Sequence, residues 1–116
     1  MPTFSIGAMC CATSTAFPLY AVGARGVISV VSNVAPRAMS DMWDAVRAGD
    51  WDRARRRHYE LRVLNQLLFV EPSPAPTKAA LSLLGRCSAE VRLPLVAATA
   101  GLVEQLRAEL KSQGMS

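Results

Sequence analysis

Lysine is nearly absent from this chain. Of thirteen basic residues only Lys78 and Lys111 are lysines. Neither stands where an amine would be desolvated and left free at neutral pH, the condition a Schiff-base nucleophile requires. Histidine is scarcer still: His58 has no His or Cys partner at ligand spacing, so it reads as a helix-face residue and no metal site is expected. Three cysteines, Cys10 and Cys11 adjacent and Cys87 far away, form neither a disulfide framework nor a spaced metal site. They read as reduced thiols in a cytoplasmic chain. A glycine-rich phosphate loop, a serine in a nucleophile elbow and a carboxylate cluster are all missing, and no cofactor is expected. No charge precedes Arg25. That uncharged start has no basic flank and is interrupted by Ser5, Gly7, Thr13, Ser14, Thr15 and Pro18, so neither a signal peptide nor a membrane span is expected.

What remains is globular in composition. With 116 residues, 51% of them hydrophobic and 19% charged, the chain is long enough for one small domain and too apolar for disorder. Its net charge of +4 is carried largely by arginine. Arg53, Arg55, Arg56, Arg57 and Arg62 crowd one stretch, a pattern that invites phosphate binding. At about 100° per residue they spread around a helix with Asp52 and Glu60 among them, so a solvated or ion-paired face is expected and no nucleic-acid partner.

One stretch has strand character. Val27, Ile28, Val30 and Val31 are β-branched and mostly apolar, which suits a strand buried on both faces. No second run of that quality exists. A short helix is expected over residues 16–24, with Pro18 tolerated in its first turn and Gly23 and Gly26 ending it. Pro36 then opens an amphipathic helix carrying Met39, Met42, Trp43 and Val46, closed by Gly49. Asp50 caps the next helix, whose inward stripe runs through Trp51, Ala54, His58, Leu61, Leu64 and Leu68. Pro72, Pro74 and Pro76 break the chain sharply. A helix from about Pro76 to Leu84 follows, closed by Gly85, and Arg92-Leu93-Pro94-Leu95 is a non-helical crossing. Thr99 caps a last helix with Val103, Leu106 and Leu110 inward and Glu104, Arg107 and Lys111 outward.

Three of these stretches, in this order and spacing, resemble one family. Gly26-Val27-Ile28-Ser29-Val30-Val31-Ser32-Asn33-Val34-Ala35-Pro36-Arg37 looks like the last-strand signature of dihydrodipicolinate synthase. Leu68-Phe69-Val70-Glu71-Pro72-Ser73-Pro74-Ala75-Pro76-Thr77-Lys78-Ala79-Ala80-Leu81 resembles its proline-rich segment, and Val91-Arg92-Leu93-Pro94-Leu95 its late turn. The resemblance runs from about Ala16 to Leu110. It implies a mostly α chain with one residual strand: the last αβ piece of a (β/α)8 TIM barrel plus the C-terminal helical domain, the rest of the barrel missing. Residues 1–15 stay unassigned, residues 16–35 would be the remnant of the last barrel helix and strand, and residues 36–116 the helical domain.

The family's reaction is a lyase-type Schiff-base condensation of pyruvate with L-aspartate semialdehyde in lysine biosynthesis, by the diaminopimelate route. Its barrel lysine, proton-relay tyrosine and threonine pair belong to segments without a counterpart here. No catalytic residue is therefore assigned, and the chain is expected to be inactive alone. One substrate-binding position carries over: the backbone carbonyl of Ile28 would face pyruvate at the carboxyl end of the last strand. Residues 1–15 depart from the family, with Ser5-Ile6-Gly7-Ala8-Met9-Cys10-Cys11 where an acidic Gly-Asp-Asp turn is expected, as though a disrupted or wrongly started reading frame were joined to a family tail. The alternative is a non-catalytic helical module that associates with itself or with an intact homologue, because an unpaired apolar strand favours pairing.

Overall fold

In the computed structural model, residues 15–115 are described. They form the helices α1 (Ala16–Ala21), α2 (Val31–Val34), α3 (Pro36–Arg47), α4 (Trp51–Glu60), α5 (Arg62–Leu67), α6 (Ala75–Leu83) and α7 (Ala100–Ser112). The chain divides between Leu61 and Arg62 into two compact units, the first carrying α1 to α4 and the second α5 to α7. None of the described helices is long and apolar enough to cross a membrane.

In the first unit α1 and α3 end where the sequence signals an end. Pro18 falls in the first turn of α1, where its missing N–H had no helical acceptor to lose. Gly23 adopts φ +101°, and the amides of Gly23 and Ala24 turn back to the carbonyls of Tyr20 and Leu19. This double closure needs a residue at ease with positive φ. Helix α3 closes in the same way through Gly49, with Asp50 N–H bonded to the Ala45 carbonyl at 2.8 Å. The Asp50 carboxylate in turn accepts the Arg53 N–H at 3.2 Å, so one residue finishes α3 and caps α4. Along the packed pair, Met39, Met42 and Ala45 of α3 and Ala54 of α4 are buried. Aromatic side chains bind α1 to its neighbours. The Tyr20 ring lies 4.9 Å from Trp43, and the Phe17 ring 5.9 Å from Trp51 and 5.4 Å from His58.

The expected strand over Val27, Ile28, Val30 and Val31 does not form: there is no strand among the described residues. A strand is completed by a neighbour that accepts and donates its backbone hydrogen bonds, and none is present among them. Instead the run is divided. Residues 24–29 have no regular structure, whereas Val31 and Val34 enter the helical turn α2 and are fully buried. Ser29 supplies the signal for that turn. Its Oγ accepts the Ser32 N–H at 3.1 Å, and its carbonyl accepts the Ser32 hydroxyl at 2.8 Å. The Asn33 side-chain amide donates to the Val30 carbonyl at 3.1 Å. These short polar side chains offer the backbone local hydrogen bonds that compete with sheet.

The helix expected to run from Asp50 to Leu68 is interrupted. Leu61 has ψ −6°, well away from the helical value near −42°, and α5 starts at the next residue. Of its expected inward stripe, Ala54, Leu61, Leu64 and Leu68 are buried, while Trp51 is exposed at the start of α4.

In the second unit, α7 packs against α5 and α6. Leu102, Leu106 and Leu110 are its buried stripe; Val103, also expected inward, is half-buried. The proline break appears where expected, with cis peptides before Pro74 and Pro94. Helix α6 starts one residue early, at Ala75, which places the buried Pro76 at a position that needs no N–H donor. Glu71 ties this break to the start of α7. The Glu71 carboxylate accepts the Thr99 N–H at 3.1 Å and the Thr99 hydroxyl at 2.6 Å, while Thr99 Oγ1 accepts the Leu102 N–H at 3.4 Å. A carboxylate at this end of α7 also faces the positive end of the helix dipole.

Candidate functional site

Ile28 lies in the first unit, between the glycine closure of α1 and the short helical turn α2 that follows Ser29. Ile28 is 64% exposed and Val22, at the other end of the stretch, 66%. Among the described residues the N–H and C=O groups of Arg25, Gly26, Val27 and Ile28 make no hydrogen bond. No lysine or tyrosine of the first unit's described residues forms a nucleophilic site around Ile28. Tyr20 is buried against Trp43, and burial raises its pKa because the phenolate is the poorly solvated form.

Both lysines belong to the second unit. Lys78, on α6, donates from Nζ to the Glu90 carbonyl at 2.6 Å and so pins the segment between α6 and α7. Lys111 is exposed near the end of α7. Neither is enclosed in the way an amine nucleophile would be.

The arginine cluster is partly an ion-paired face. Asp41 on α3 receives Arg57 at 3.3 Å and Arg53 at 4.0 Å, one helical turn apart on α4. Arg57 also reaches Glu60 at 2.9 Å, and Arg55 pairs with Asp52 at 3.2 Å. These are exposed or half-exposed pairs, each worth roughly 0–1 kcal/mol. His58 lies on the same helix with its ring against Phe17 and Tyr59. Among the described residues no group of three or more His, Cys, Asp or Glu could hold a metal ion. Cys87 is a free, exposed thiol; Cys10, Cys11 and the departure expected over residues 1–15 lie outside the described residues, Thr15 excepted.

Two polar atoms of the second unit were not foreseen from sequence. Asn65 Oδ1 and Thr77 Oγ1 are buried without a hydrogen-bond partner among the described residues. Their signal is faint: each sits on a helical face otherwise occupied by Leu or Ala.

The model of the dihydrodipicolinate synthetase family matches residues 5–113. The 4-hydroxy-tetrahydrodipicolinate synthase of Trichlorobacter lovleyi is 45% identical over 95 residues, which is 82% of this chain and 33% of that protein. Among solved structures, dihydrodipicolinate synthase from Thermotoga maritima is 44% identical with a TM-score of 0.89, over 91% of this chain and 36% of that one. The chloride-inhibited enzyme of Acinetobacter baumannii, complexed with pyruvate, is 35% identical with a TM-score of 0.86, over 93% of this chain and 37% of that one. The chain thus spans about a third of the length of the curated relatives it matches, corresponding to their C-terminal part. On a match that covers nearly all its residues, the chain belongs to the dihydrodipicolinate synthetase family.

Proposed function

We propose that this chain is the C-terminal portion of a dihydrodipicolinate synthase-type lyase and that the 116 residues by themselves do not perform the family's condensation of pyruvate with L-aspartate semialdehyde. Residues 16–35 take the place of the last barrel helix and strand, and residues 36–116 that of the helical domain. Ile28 contributes its carbonyl to one wall of the pyruvate pocket. The observation that carries this reading is the state of the amines. The chain matches a third of its relatives, and its only lysines are one tied to the Glu90 carbonyl and one in water. A cytoplasmic location accompanies it, in keeping with the free exposed thiol of Cys87.

Borohydride reduction in the presence of pyruvate tests the reading directly. An imine forms when an amine attacks the ketone and water leaves, and reduction fixes it as a stable secondary amine. The intact mass of the chain is expected to stay unchanged. A pyruvate adduct on Lys78 or Lys111 overturns the reading.

A second reading, non-catalytic self-association, is favoured by apolar surface on the second unit, where Phe69, Val70, Leu93 and Val96 are exposed. Analytical ultracentrifugation over a concentration series distinguishes it, since this reading requires a concentration-dependent dimer or larger species.

A further inference from the structure

We infer that the Arg25–Gly26 peptide bond is a processing site for an arginine-directed serine protease of the trypsin type, whose cut separates residues 1–25, α1 included, from residues 26–116. The inference goes beyond the family reading and does not depend on it.

A protease of this type takes its substrate as an extended chain, with the arginine seated in a pocket that holds a carboxylate. A basic residue inside a helix is presented only after several turns open, whereas one in exposed, irregular chain is presented at small cost. Ten of the thirteen basic residues lie in α3 to α7. The other three differ in how their backbone is held. The Arg86 N–H closes α6 by donating to the Leu81 carbonyl at 2.9 Å. The Arg92 carbonyl accepts the Leu95 N–H at 3.0 Å, and the Glu90 carbonyl two residues earlier is held by Lys78 at 2.6 Å. Among the described residues Arg25 has no such bond, and Gly26, Val27 and Ile28 have none either.

The bond is also open to approach. Arg25 and Gly26 are both exposed, and Arg25 enters no ion pair among the described residues. A side-chain carbon built on Gly26 would meet nothing within 4 Å, so the leaving-group side of the bond is unobstructed. The remaining cost lies on the other side. Ala24 is buried and, like Gly23, is bonded back to α1, so binding opens those two backbone hydrogen bonds and uncovers one small side chain. Sites within the helices demand much more.

The chemistry is hydrolysis through an acyl-enzyme. The protease serine attacks the Arg25 carbonyl, the C–N bond breaks, and Gly26 leaves as an amine; water then releases Arg25 as a carboxylate. No basic residue precedes Arg25, so the stretch over residues 1–15 that departs from the family leaves in one piece with α1.

The experiment is limited digestion of the full chain with a trace of trypsin, followed over time by intact-mass spectrometry. The first products are expected to be residues 1–25 and 26–116, formed about 10-fold faster than any other cut, as cleavage follows the population of the locally opened state. In urea that preference is expected to vanish. Arg25→Gln removes the pocket residue, and is expected to slow this cut by about 100-fold or more because the pocket carboxylate is left unpaired. Gly26→Pro keeps Arg25 but puts a ring and no N–H at the leaving nitrogen, with a loss of about the same size expected. Arg92→Gln is expected to leave the first cut unchanged. Circular dichroism of each variant is expected to match the wild type, because all three positions lie outside the helices. The inference is overturned if the first cut falls at Arg86–Cys87, at Arg92–Leu93 or inside a helix. It is overturned equally if the folded chain is cut without preference, or if it resists trypsin under conditions that fragment it in urea.

Discussion

Ser29 and Thr99 each accept at the side-chain hydroxyl the N–H three residues ahead, but Thr99 is the N-cap of α7 whereas Ser29 stands one residue before Val30, the N-cap of α2, and the helices that follow are of very different standing. After Thr99 the chain makes thirteen helical residues, and every large apolar side chain at the helical spacing of Leu102, Leu106 and Leu110 is buried within the second unit. After Ser29 it makes one turn, burying Val31 and Val34 and leaving Ile28 behind in solvent. Local capping chemistry therefore starts a helix in either place. What decides its length and use is whether the apolar residues around the cap find partners, in line with tertiary packing supplying most helical stability.

The comparison is sharpest where burial differs most. Leu106→Ala is expected to destabilise the chain by about 2–5 kcal/mol, because Leu106 is wholly buried and its loss leaves a cavity. Ile28→Ala is expected to change stability by less than about 0.5 kcal/mol, as exposed substitutions usually do. Urea denaturation of the two variants checks both, and equal losses would mean that the segment around Ile28 is covered after all. The caps come next. Thr99→Val removes the α7 cap and the hydroxyl held by Glu71, an expected cost of about 1–2 kcal/mol, whereas Ser29→Ala should cost about 0.5–1 kcal/mol.

The smallest effect is a titration. Burial raises the pKa of Tyr20 above its ordinary value of 10.0 in the folded chain. Folded protein then holds that proton where unfolded protein has released it, so stability is full below pH 10 and falls as pH rises from there through the raised value. Ultraviolet titration of a Tyr59→Phe variant isolates the group. The phenolate is expected to appear at higher pH in the folded chain than in urea.

Much of the helical layout was legible because it rests on residues with local meaning. Pro36, Gly49, Asp50, Gly85 and Thr99 mark starts and ends by backbone geometry or a side-chain acceptor, and the structure uses them so. The strand was misread because a short β-branched run does not reveal whether a neighbour exists to pair with it. The break at Leu61 has no glycine, proline or capping side chain at the residue itself to announce it. The candidate site was barely legible, since the role expected of Ile28 is that of a main-chain carbonyl, a group that every residue possesses. Only the resemblance of the surrounding residues singled it out.

Asp50 joins two helices through two different parts of one residue, its N–H serving α3 and its carboxylate serving α4. The connection therefore has no spare length. An added residue on either side would separate the two functions and leave one helix end open, so this turn is among the places least able to accept an insertion. The contrast is with the stretch between α6 and α7, much of which is exposed and outside any helix, where added length would disturb fewer bonds. Variation in length within this chain should therefore concentrate in that second connection, and the pairing of α3 with α4 should hold a fixed register.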